Sequence, residues 1–294
     1  MIDLPLVSIV TPSYNQSPFL EQTIQSVLNQ DYPKIEYIII DGGSTDTSVE
    51  IIRKYQDRIS YWVSELDQGQ SDAINKGFDI STGEILNWVN SDDLLEPSAV
   101  SLAVYFLLKH PEIGMVFGDR VYIDRKNNFL RTEVLPAYRS PHLRWGAFIP
   151  QETAFWWRNL FFDLGKLDIQ LQTAMDSDLW FRINQVAKIK HIPAILGCYR
   201  EHKTTKTAQT KNRNPVGSEL FQKQSNEVRR RYVGRMLNPL IRAWFLRLYK
   251  FRVPFEKRFS WYKREIQQIR AIQEHGLIEA YKLGLLPDLR AKEK

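Results

Sequence analysis

The chain has 294 residues, of which 43% are hydrophobic and 25% are charged. This composition is typical of a globular protein with a sizeable core, and it excludes a disordered chain, a collagen-like repeat and a small disulfide-stapled scaffold. The net charge of +6 divides unevenly: residues 1–200 carry 18 Lys+Arg against 25 Asp+Glu (net −7), and residues 201–294 carry 22 against 9 (net +13). An acidic body that suits a carboxylate site therefore precedes a basic tail that suits a polyanion.

The first 110 residues alternate between apolar, β-branched runs and apolar side chains at helical spacing. The predicted strands are 6–11, 35–41, 61–63 and 84–90, and the predicted helices are about 17–28, 44–56, 70–80 and 97–109. Strands that alternate with helices form βαβ units, so the sequence predicts an α/β protein with a central, mostly parallel sheet flanked by helices.

Beyond residue 110 the pattern is less regular. Further strands are predicted near 114–123, 129–134 and 191–199, with one clear helix at about 176–188. The aromatic stretch 145–157 is interpreted either as a wall for an acceptor or as plain core. A polar, basic loop or linker then precedes a segment, 219–294, that is mostly helical in pattern.

Polar side chains follow four of the predicted strands, at 11–15, 41–46, 65–70 and 90–93. Ligands of open α/β sheets bind beyond the carboxyl ends of the strands, and three of these four segments bring carboxylates there. Like charges at one edge repel each other unless a cation or hydrogen-bond donors lie among them. Asp92 and Asp93 would suit Mg²⁺ or Mn²⁺, and the alternative is that they begin the next helix.

Two later segments add candidate residues. Asp176 and Asp178 begin a predicted helix, where one can cap the helix while the other points into a cleft. His202 follows the last predicted strand and is a structural histidine, a solvated histidine or a ligand. The sequence contains neither the dinucleotide-binding nor the P-loop glycine pattern.

Taken together, these segments resemble the family 2 glycosyltransferases, which have the GT-A fold. The matching segments run in the family's order across about 1–205: they are 7–16, 37–46, 67–77, 87–93, 175–182 and 199–202. The likeness is greatest to bacterial enzymes of cell-surface polysaccharide synthesis. It implies an inverting, metal-dependent transfer, with a hexosyl group expected, from a nucleotide-diphosphate sugar to a hydroxyl acceptor.

The resemblance also implies a division of the chain. The GT-A catalytic domain covers 1–205, with a nucleotide-sugar half at about 1–110 and an acceptor half at about 111–205. A linker at 206–218 leads to a basic, helical C-terminal extension at 219–294.

The resemblance assigns roles residue by residue. Asp93 is the first choice as ligand of a Mn²⁺ or Mg²⁺ ion, with Asp92 and His202 as further ligands. Asp176 aligns with the general base, and Asp178 is its rival. Asp41 is expected to accept a hydrogen bond from the base of the nucleotide. The full set expected along the nucleotide-sugar pocket is Thr11, Pro12, Tyr14, Asp41, Asp67 and Asp92.

Three departures from the family pattern bear on these roles. Asn90 and Met175 stand where an acid is usual, so the metal would rest on fewer carboxylates and the base would lack an acidic neighbour. The residues at 203–206 replace the commoner glycine-containing run, which weakens the assignment of His202 as a ligand.

The expected partners are a nucleotide-sugar donor and a saccharide or lipid-linked saccharide acceptor. Cations interleaved with aromatic residues over 239–270 favour contact with an anionic membrane surface, or packing on the body, and no nucleic acid is expected. Two other functions stay open: a nucleotide-sugar-binding protein without transferase activity, and a nucleic-acid-binding protein that uses the basic arm.

The expected location is the cytoplasm, at the inner face of the plasma membrane if the basic segment binds lipid. No apolar run reaches the length of a membrane span, and the first residues lack a signal-peptide pattern. Cys198 is the single cysteine, so the sequence offers neither an intrachain disulfide nor a cysteine-based zinc site.

Overall fold

The computed structural model describes residues 3–136, 148–202, 215–233, 247 and 260–287. The strands are β1 Val7–Ser13, β2 Ile35–Asp41, β3 Tyr61–Ser64, β4 Ile85–Trp88, β5 Leu94–Leu95, β6 Ile113–Ile123, β7 Phe129–Glu133, β8 Phe155–Trp157 and β9 Lys188–Arg200. The helices are α1 Ser17–Leu28, α2 Ser48–Lys54, α3 Gln70–Ile80, α4 Ala99–Lys109, α5 Arg158–Asp163, α6 Met175–Val186, α7 Pro215–Val233, α8 Ser260–His275 and α9 Leu277–Lys282.

The described strands form one mixed sheet in the order β3-β2-β1-β4-β8-β6-β9-β5, with β7 paired to β6. In the N-terminal half, β1 pairs in parallel with β2 and β4, and β2 pairs in parallel with β3, as the alternating pattern predicts. The short strand β8 runs antiparallel to both β4 and β6 and joins the two halves. The sheet therefore brings the ends of β1 to β4 to one edge.

Apolar cores lie on both faces of the sheet, because successive strand residues point to opposite sides. Val7 and Ile9 of β1 belong to one core, which α1 and α4 cover. Val10 belongs to the other core, which α3 and α6 cover. Helices that cover both faces of a mostly parallel sheet agree with the predicted α/β architecture.

The aromatic residues of the stretch 145–157 differ in burial in the structure. Phe155 and Trp156 of β8 are fully buried. The Trp156 ring lies 5.4 Å from that of Trp88 and 5.3 Å from that of Trp180, which identifies this part as core rather than as an acceptor wall. Phe148 is exposed, and 137–147 lies outside the described residues.

The described helices of the C-terminal part pack on the body. Ile269 and Ile272 of α8 and Leu277 of α9 are buried in the same core as α4. Lys190 of β9 and Glu265 of α8 also form an ion pair of 2.7 Å. Packing on the body, one of the two alternatives for this region, is therefore observed for α8 and α9.

The boundaries of the C-terminal part differ in detail from those predicted. Helix α7 begins at Pro215, inside the segment 206–218 that the sequence predicts as a linker. Most of 239–259, which carries the interleaved aromatic residues and cations, lies outside the described residues. Among the helices that are described, none combines the length and the apolar character that crossing a bilayer requires.

Candidate functional site

The loops that follow β1 and β2 are held together by Asn15. Its side-chain Oδ1 accepts hydrogen bonds from the backbone N–H of Thr45 at 2.8 Å and of Asp46 at 3.3 Å. Its own backbone N–H donates to Ser44 Oγ at 2.8 Å. Asn15 has a φ of 51°, a conformation that asparagine tolerates better than most residues. This connection presents Tyr14, which is 61% exposed, at the rim of the sheet.

Asp41 is predicted to bind the base of a nucleotide, but the structure buries it completely. Its Oδ2 accepts hydrogen bonds from the Ser44 N–H at 2.8 Å and from Ser64 Oγ at 2.7 Å. Its Oδ1 accepts a third hydrogen bond, from Ser44 Oγ at 2.6 Å. The carboxylate therefore holds the turn after β2 against the end of β3, and in this structure it has no surface to offer a ligand.

Thr11 and Pro12 are also interior residues. Both are buried in β1, and Thr11 Oγ1 lies 3.1 Å from the Tyr37 hydroxyl. These two predicted pocket residues shape the strand end from inside, whereas Tyr14, Asp67 and Asp92 keep exposed surface.

Asp67 lies in the loop after β3, close to the turn after β2. Its Oδ1 accepts a hydrogen bond of 2.7 Å from the Gly69 N–H. Its Oδ2 lies so near Gly42 that a Cβ on that glycine would be 2.6 Å away. The missing side chain at Gly42 is therefore what lets the Asp67 carboxylate reach this position, next to the loop that carries Asp41.

Asp93, the predicted first choice as metal ligand, is only 1% exposed. Its Oδ1 accepts a hydrogen bond of 3.0 Å from the Arg200 backbone N–H, and its Oδ2 accepts one of 3.2 Å from Asn90 Nδ2. Burial raises the pKa of Asp93 well above its ordinary value, and the negative charges of Asp92 and Glu152 raise it further. Asp93 is therefore nearly enclosed by protein, and each of its oxygens already accepts one hydrogen bond.

Asp92 is the partly exposed carboxylate of this pair, with 17% of its side chain exposed. Its Oδ2 lies 2.9 Å from His202 Nε2, so the structure brings together two residues that are far apart in the sequence. The His202 ring lies against that of Phe19, with 4.5 Å between the ring centroids. The histidine is therefore oriented by an aromatic neighbour on one side and by Asp92 on the other.

Arg200 holds the segment of Asp92 and Asp93 in place from the end of β9. In addition to its backbone bond to Asp93, its Nε donates to the Asp92 carbonyl oxygen at 2.8 Å. Its Nη2 donates to Gln22 Oε1 at 2.8 Å, and its Nη1 donates to Asn127 Oδ1. Sequence reasoning did not assign a role to this buried arginine, although it lies within a matched segment. Its partners are more than 70 residues away, as the bond between Arg200 and Asn127 illustrates.

Asp92 and His202 suit a divalent ion whose remaining coordination positions are filled by a bound phosphate ligand and water. The described residues contain no cluster of three or more His, Cys, Asp or Glu that could hold a metal. Asp92 and His202 offer one carboxylate and one imidazole side by side. Mg²⁺ and Mn²⁺ sites of nucleotide enzymes commonly use one or two protein ligands and complete the shell with phosphate oxygens and water. The pair therefore suits such an ion but not one held by protein groups alone.

A second pair of aspartates lies in the first turn of α6. Asp178 is buried, and its Oδ2 accepts a hydrogen bond of 2.8 Å from Arg182 Nε while its Oδ1 accepts one of 2.9 Å from the Tyr232 hydroxyl. Asp176 keeps some exposed surface, and its Oδ1 accepts a hydrogen bond of 2.7 Å from the Ser177 N–H. Burial of its carboxyl raises the pKa of Asp176, which makes it a better proton acceptor than an ordinary aspartate.

Buried charges connect the two pairs. Arg120 Nη1 lies 3.6 Å from Glu152 Oε1, in the interior between β6 and β8. The negative charge of Glu152 raises the pKa of Asp93, and the positive charge of Arg120 opposes the rise in the pKa of Asp176 that burial causes. Sequence reasoning missed both residues, because no local pattern distinguishes them from other charged residues and only the fold brings them together.

Residues 8–175 match the model of the family described as glycosyl transferase family 2. An uncharacterized glycosyltransferase from Rickettsia conorii is 31% identical over 71% of this chain and 36% of that relative. Chondroitin synthase from Escherichia coli is 29% identical over 67% of this chain and 29% of that protein. The chain therefore spans about a third of the length of these relatives.

Solved structures share the fold at low identity. S. aureus TarS 1–349, solved in complex with UDP-GlcNAc, has a TM-score of 0.59 and 15% identity over 76% of this chain and 72% of that chain. The mannosyltransferase PcManGT from Pyrobaculum calidifontis, solved in complex with GDP-Man and Mn²⁺, has a TM-score of 0.56 and 18% identity over 96% of this chain and 87% of that chain. These likenesses confirm the predicted GT-A fold.

Proposed function

The chain belongs to glycosyl transferase family 2, and we propose that it is an inverting glycosyltransferase of cell-surface polysaccharide synthesis. It would move a sugar, expected to be a hexose, from a nucleotide-diphosphate sugar to a hydroxyl acceptor. One observation carries the proposal. Each of two aspartate pairs contains one buried member that binds protein groups and one partly exposed member, and the exposed members are Asp92 and Asp176.

The donor is proposed to lie along the ends of β1 to β4. Tyr14, Asp67 and Asp92 have the exposed surface to contact a nucleoside and its ribose. Asp41 and Thr11 support this pocket from below through their bonds to neighbouring strands and turns. The complexes of TarS with UDP-GlcNAc and of PcManGT with GDP-Man support a nucleotide-sugar donor for a chain of this fold.

The proposed cation is Mn²⁺ or Mg²⁺, held by Asp92 and His202. When bound, such an ion neutralises charge on a departing diphosphate. Asp93, with the Arg200 backbone and Asn90 on its two oxygens, keeps the Asp92 segment in place rather than serving as a ligand. The Mn²⁺ in the PcManGT complex supports a metal-dependent reaction.

Asp176 is proposed as the general base. Its carboxylate would take the proton of the acceptor hydroxyl as that oxygen attacks the anomeric carbon, and direct displacement at that carbon inverts its configuration. The partly exposed position of Asp176 and its raised pKa support this role, whereas Asp178 is committed to Arg182 and Tyr232. Holding donor and acceptor together in one cleft contributes much of the rate.

The experiment has two stages. Melting temperatures are first measured with UDP- and GDP-sugars in the presence of Mn²⁺, because a bound donor stabilises the folded state. The stabilising donor is then incubated with saccharide and lipid-linked acceptors, and the anomeric configuration of the product is read by NMR. Transfer with inversion is expected. Binding without transfer would favour a nucleotide-sugar-binding protein instead, and retention of configuration would overturn the mechanism.

The proposed location is the cytoplasmic face of the plasma membrane, with contact to anionic lipid through 239–270. Within the described part of this segment, Lys263, Arg264 and Arg270 are exposed on α8. Cations beside aromatic residues suit a membrane interface.

A vesicle experiment tests this contact without removing any helix. Charge reversal of Lys263, Arg264 and Arg270 to Glu should weaken binding to phosphatidylglycerol vesicles at low salt. The control reverses three exposed cations elsewhere, Arg53, Lys126 and Lys188, and changes the net charge equally. Equal loss in both triple variants would indicate a general charge effect. Tight binding to DNA but not to vesicles would favour the nucleic-acid alternative.

A further inference from the structure

An irregular segment leads into the helix that carries Asp176. The residues between α5 and α6, 164–174, form neither helix nor strand. The last of them, Ala174, has a φ of 60°, which is uncommon for a residue other than glycine and has to be maintained by the surroundings. The position of Asp176 therefore depends on what holds this segment.

The donor-side helix α3 holds the first part of the segment. Asn75 Nδ2 donates to the Leu167 carbonyl oxygen at 2.9 Å, and the Leu167 N–H donates back to Asn75 Oδ1 at 3.0 Å. Ser71 Oγ donates to the Leu171 carbonyl oxygen at 3.1 Å. These bonds end at Leu171, before the last turn into α6.

The last part of the segment is held by Gln224 of α7, a residue that is 8% exposed. Gln224 Oε1 accepts hydrogen bonds from both the Thr173 N–H at 2.9 Å and Thr173 Oγ1 at 2.8 Å. Its Nε2 donates to the Gln170 carbonyl oxygen at 3.1 Å. A single buried amide therefore fixes the backbone three residues before Asp176.

The same face of α7 reaches the other side of Asp176. Gln224, Val228 and Tyr232 follow one another at intervals of four residues, so they lie on one face of the helix. Val228 is buried in the core, and the Tyr232 ring stacks on Phe181 at 5.4 Å. The Tyr232 hydroxyl donates to Asp178, so α7 contacts the chain both before and after Asp176.

We propose that α7 belongs functionally to the acceptor half, and that its Gln224 is a positioning residue that sets the orientation of Asp176. The inference rests on the proposed function, in which Asp176 is the base. It places part of the predicted C-terminal extension within the catalytic unit. Because the hydrogen bonds described above join α7 to the acceptor-side segment, it should affect the turnover rate and not the binding of the donor.

The test compares two variants of Gln224 with a control on the same helix. Gln224→Met has a similar length but makes none of the three hydrogen bonds. Gln224→Glu keeps the two acceptor bonds to Thr173 and loses the donation to Gln170. Gln222→Met changes an exposed glutamine of α7 and is the control. The readouts are kcat, the donor KM, the acidic limb of the pH–rate profile, and hydrogen exchange of peptides that cover 165–176.

Gln224→Met should lower kcat by about 10- to 100-fold with an unchanged donor KM, since a small misplacement of a catalytic group has a cost of this order. The acidic limb should move to lower pH, because a loosened segment exposes Asp176 to water. Exchange of the Thr173 amide should become faster. Gln224→Glu should retain most of the activity, and Gln222→Met should match the wild type.

Unchanged exchange over 165–176 in Gln224→Met, or faster exchange with an unchanged kcat, would overturn the inference. If Gln224→Met does not fold, Thr173→Val removes the hydroxyl bond alone, and wild-type kcat in that variant would overturn it too. Failure of the proposed function gives a different result: Asp176→Asn would keep its activity while exchange still reported the contact between Gln224 and Thr173.

Discussion

Asp92 and Asp93 are adjacent in the chain, but only the side chain of Asp92 keeps exposed surface. Asp93 turns inward to the Arg200 backbone N–H and to Asn90, whereas Asp92 Oδ2 lies 2.9 Å from His202 Nε2. Asp92 lies in the turn that follows β4 and Asp93 lies directly before β5, so one carboxylate is buried among protein donors while the other keeps exposed surface. This relationship decides which of the two is expected to bind a cation.

The first prediction separates the two residues by nucleotide binding. Asp92→Asn should abolish the enhancement of UDP or GDP binding by Mn²⁺ and leave the melting temperature nearly unchanged, because its side chain borders the cleft. Asp93→Asn should keep the Mn²⁺ effect and lower the stability by about 1–3 kcal/mol, because it disturbs buried hydrogen bonds. Calorimetric titration with and without Mn²⁺ measures the first effect, and chemical denaturation measures the second. The opposite pattern would restore Asp93 as the ligand.

The second prediction concerns the pair in α6. Asp176→Asn should fold normally, bind donor with near-wild-type affinity and lose about 10²–10⁴-fold in turnover, because an amide cannot take the proton. Asp178→Asn should retain more activity per folded molecule but lose about 3 kcal/mol of stability, because it leaves Arg182 without its buried partner. Single-turnover transfer and denaturation are measured on both variants. An inactive Asp178→Asn beside an active Asp176→Asn would show that the base is the other carboxylate.

The third prediction concerns pH. Burial raises the pKa of Asp176. Because the base works only as a carboxylate, the turnover rate should be maximal at pH values above this raised pKa and should fall as the pH decreases through it. The acidic limb of kcat/KM, which reports pKa values of the free enzyme, should therefore lie above the ordinary aspartate value of about 3.9.

The stability effect of the same group has the opposite sign. Because the folded state binds this proton more tightly than the unfolded state, the contribution of Asp176 to stability is greatest at low pH and declines as the pH rises through the raised pKa. Circular dichroism across the acidic limb should therefore show folded protein. Loss of the fold at the same pH as the loss of turnover would contradict the prediction.

The succession of strands and helices along the first 110 residues follows from local patterns in the sequence. The predicted strand 35–41 and helix 70–80 match the observed bounds of β2 and α3, because apolar periodicity reports which residues face a core. The short strand β8 was not predicted, since three residues are too few to show a period.

What the sequence could not show is which member of each aspartate pair is buried. That depends on Arg200 for Asp93 and on Tyr232 for Asp178, and no spacing rule links residues so far apart in the chain. The resemblance to the family points to segments, and the roles of the residues in them stay predictions. Which aspartate of each pair is buried depends on partner residues that only the folded chain brings together.

The fourth prediction tests the position of Asp67 through its glycine neighbour. In Gly42→Ala, the new Cβ would lie 2.6 Å from Asp67 Oδ2, which is the free end of a side chain and can move aside. The fold should therefore survive while the displaced carboxylate binds the nucleotide less tightly, and Asp67→Asn should show a comparable loss of affinity. Calorimetric titration with UDP or GDP provides the measurement. Wild-type affinity in Gly42→Ala together with weak binding in Asp67→Asn would show that the carboxylate adapts.

The last prediction concerns α8. The sequence predicts this helix as part of a basic extension, and in the structure it packs on the body. Ile272 is fully buried against the core that contains α4, so Ile272→Ala should reduce the free energy of unfolding by about 2–5 kcal/mol. Gln267→Ala, on the exposed face of the same helix, should change it by no more than about 0.5 kcal/mol. Urea denaturation of the two variants makes the comparison.

Removing 239–294 would therefore expose core surface as well as remove cations, and a truncated protein that no longer binds vesicles could simply be unfolded. Point variants avoid this problem, because the exposed Lys263 and Arg270 lie on the opposite side of α8 from the buried Ile269 and Ile272. If Ile272→Ala denatures at the same urea concentration as the wild type, α8 does not contribute to the core, and truncation becomes a valid test of membrane contact. If it denatures earlier, as expected, α8 is part of the folded unit that carries Asp92 and Asp176.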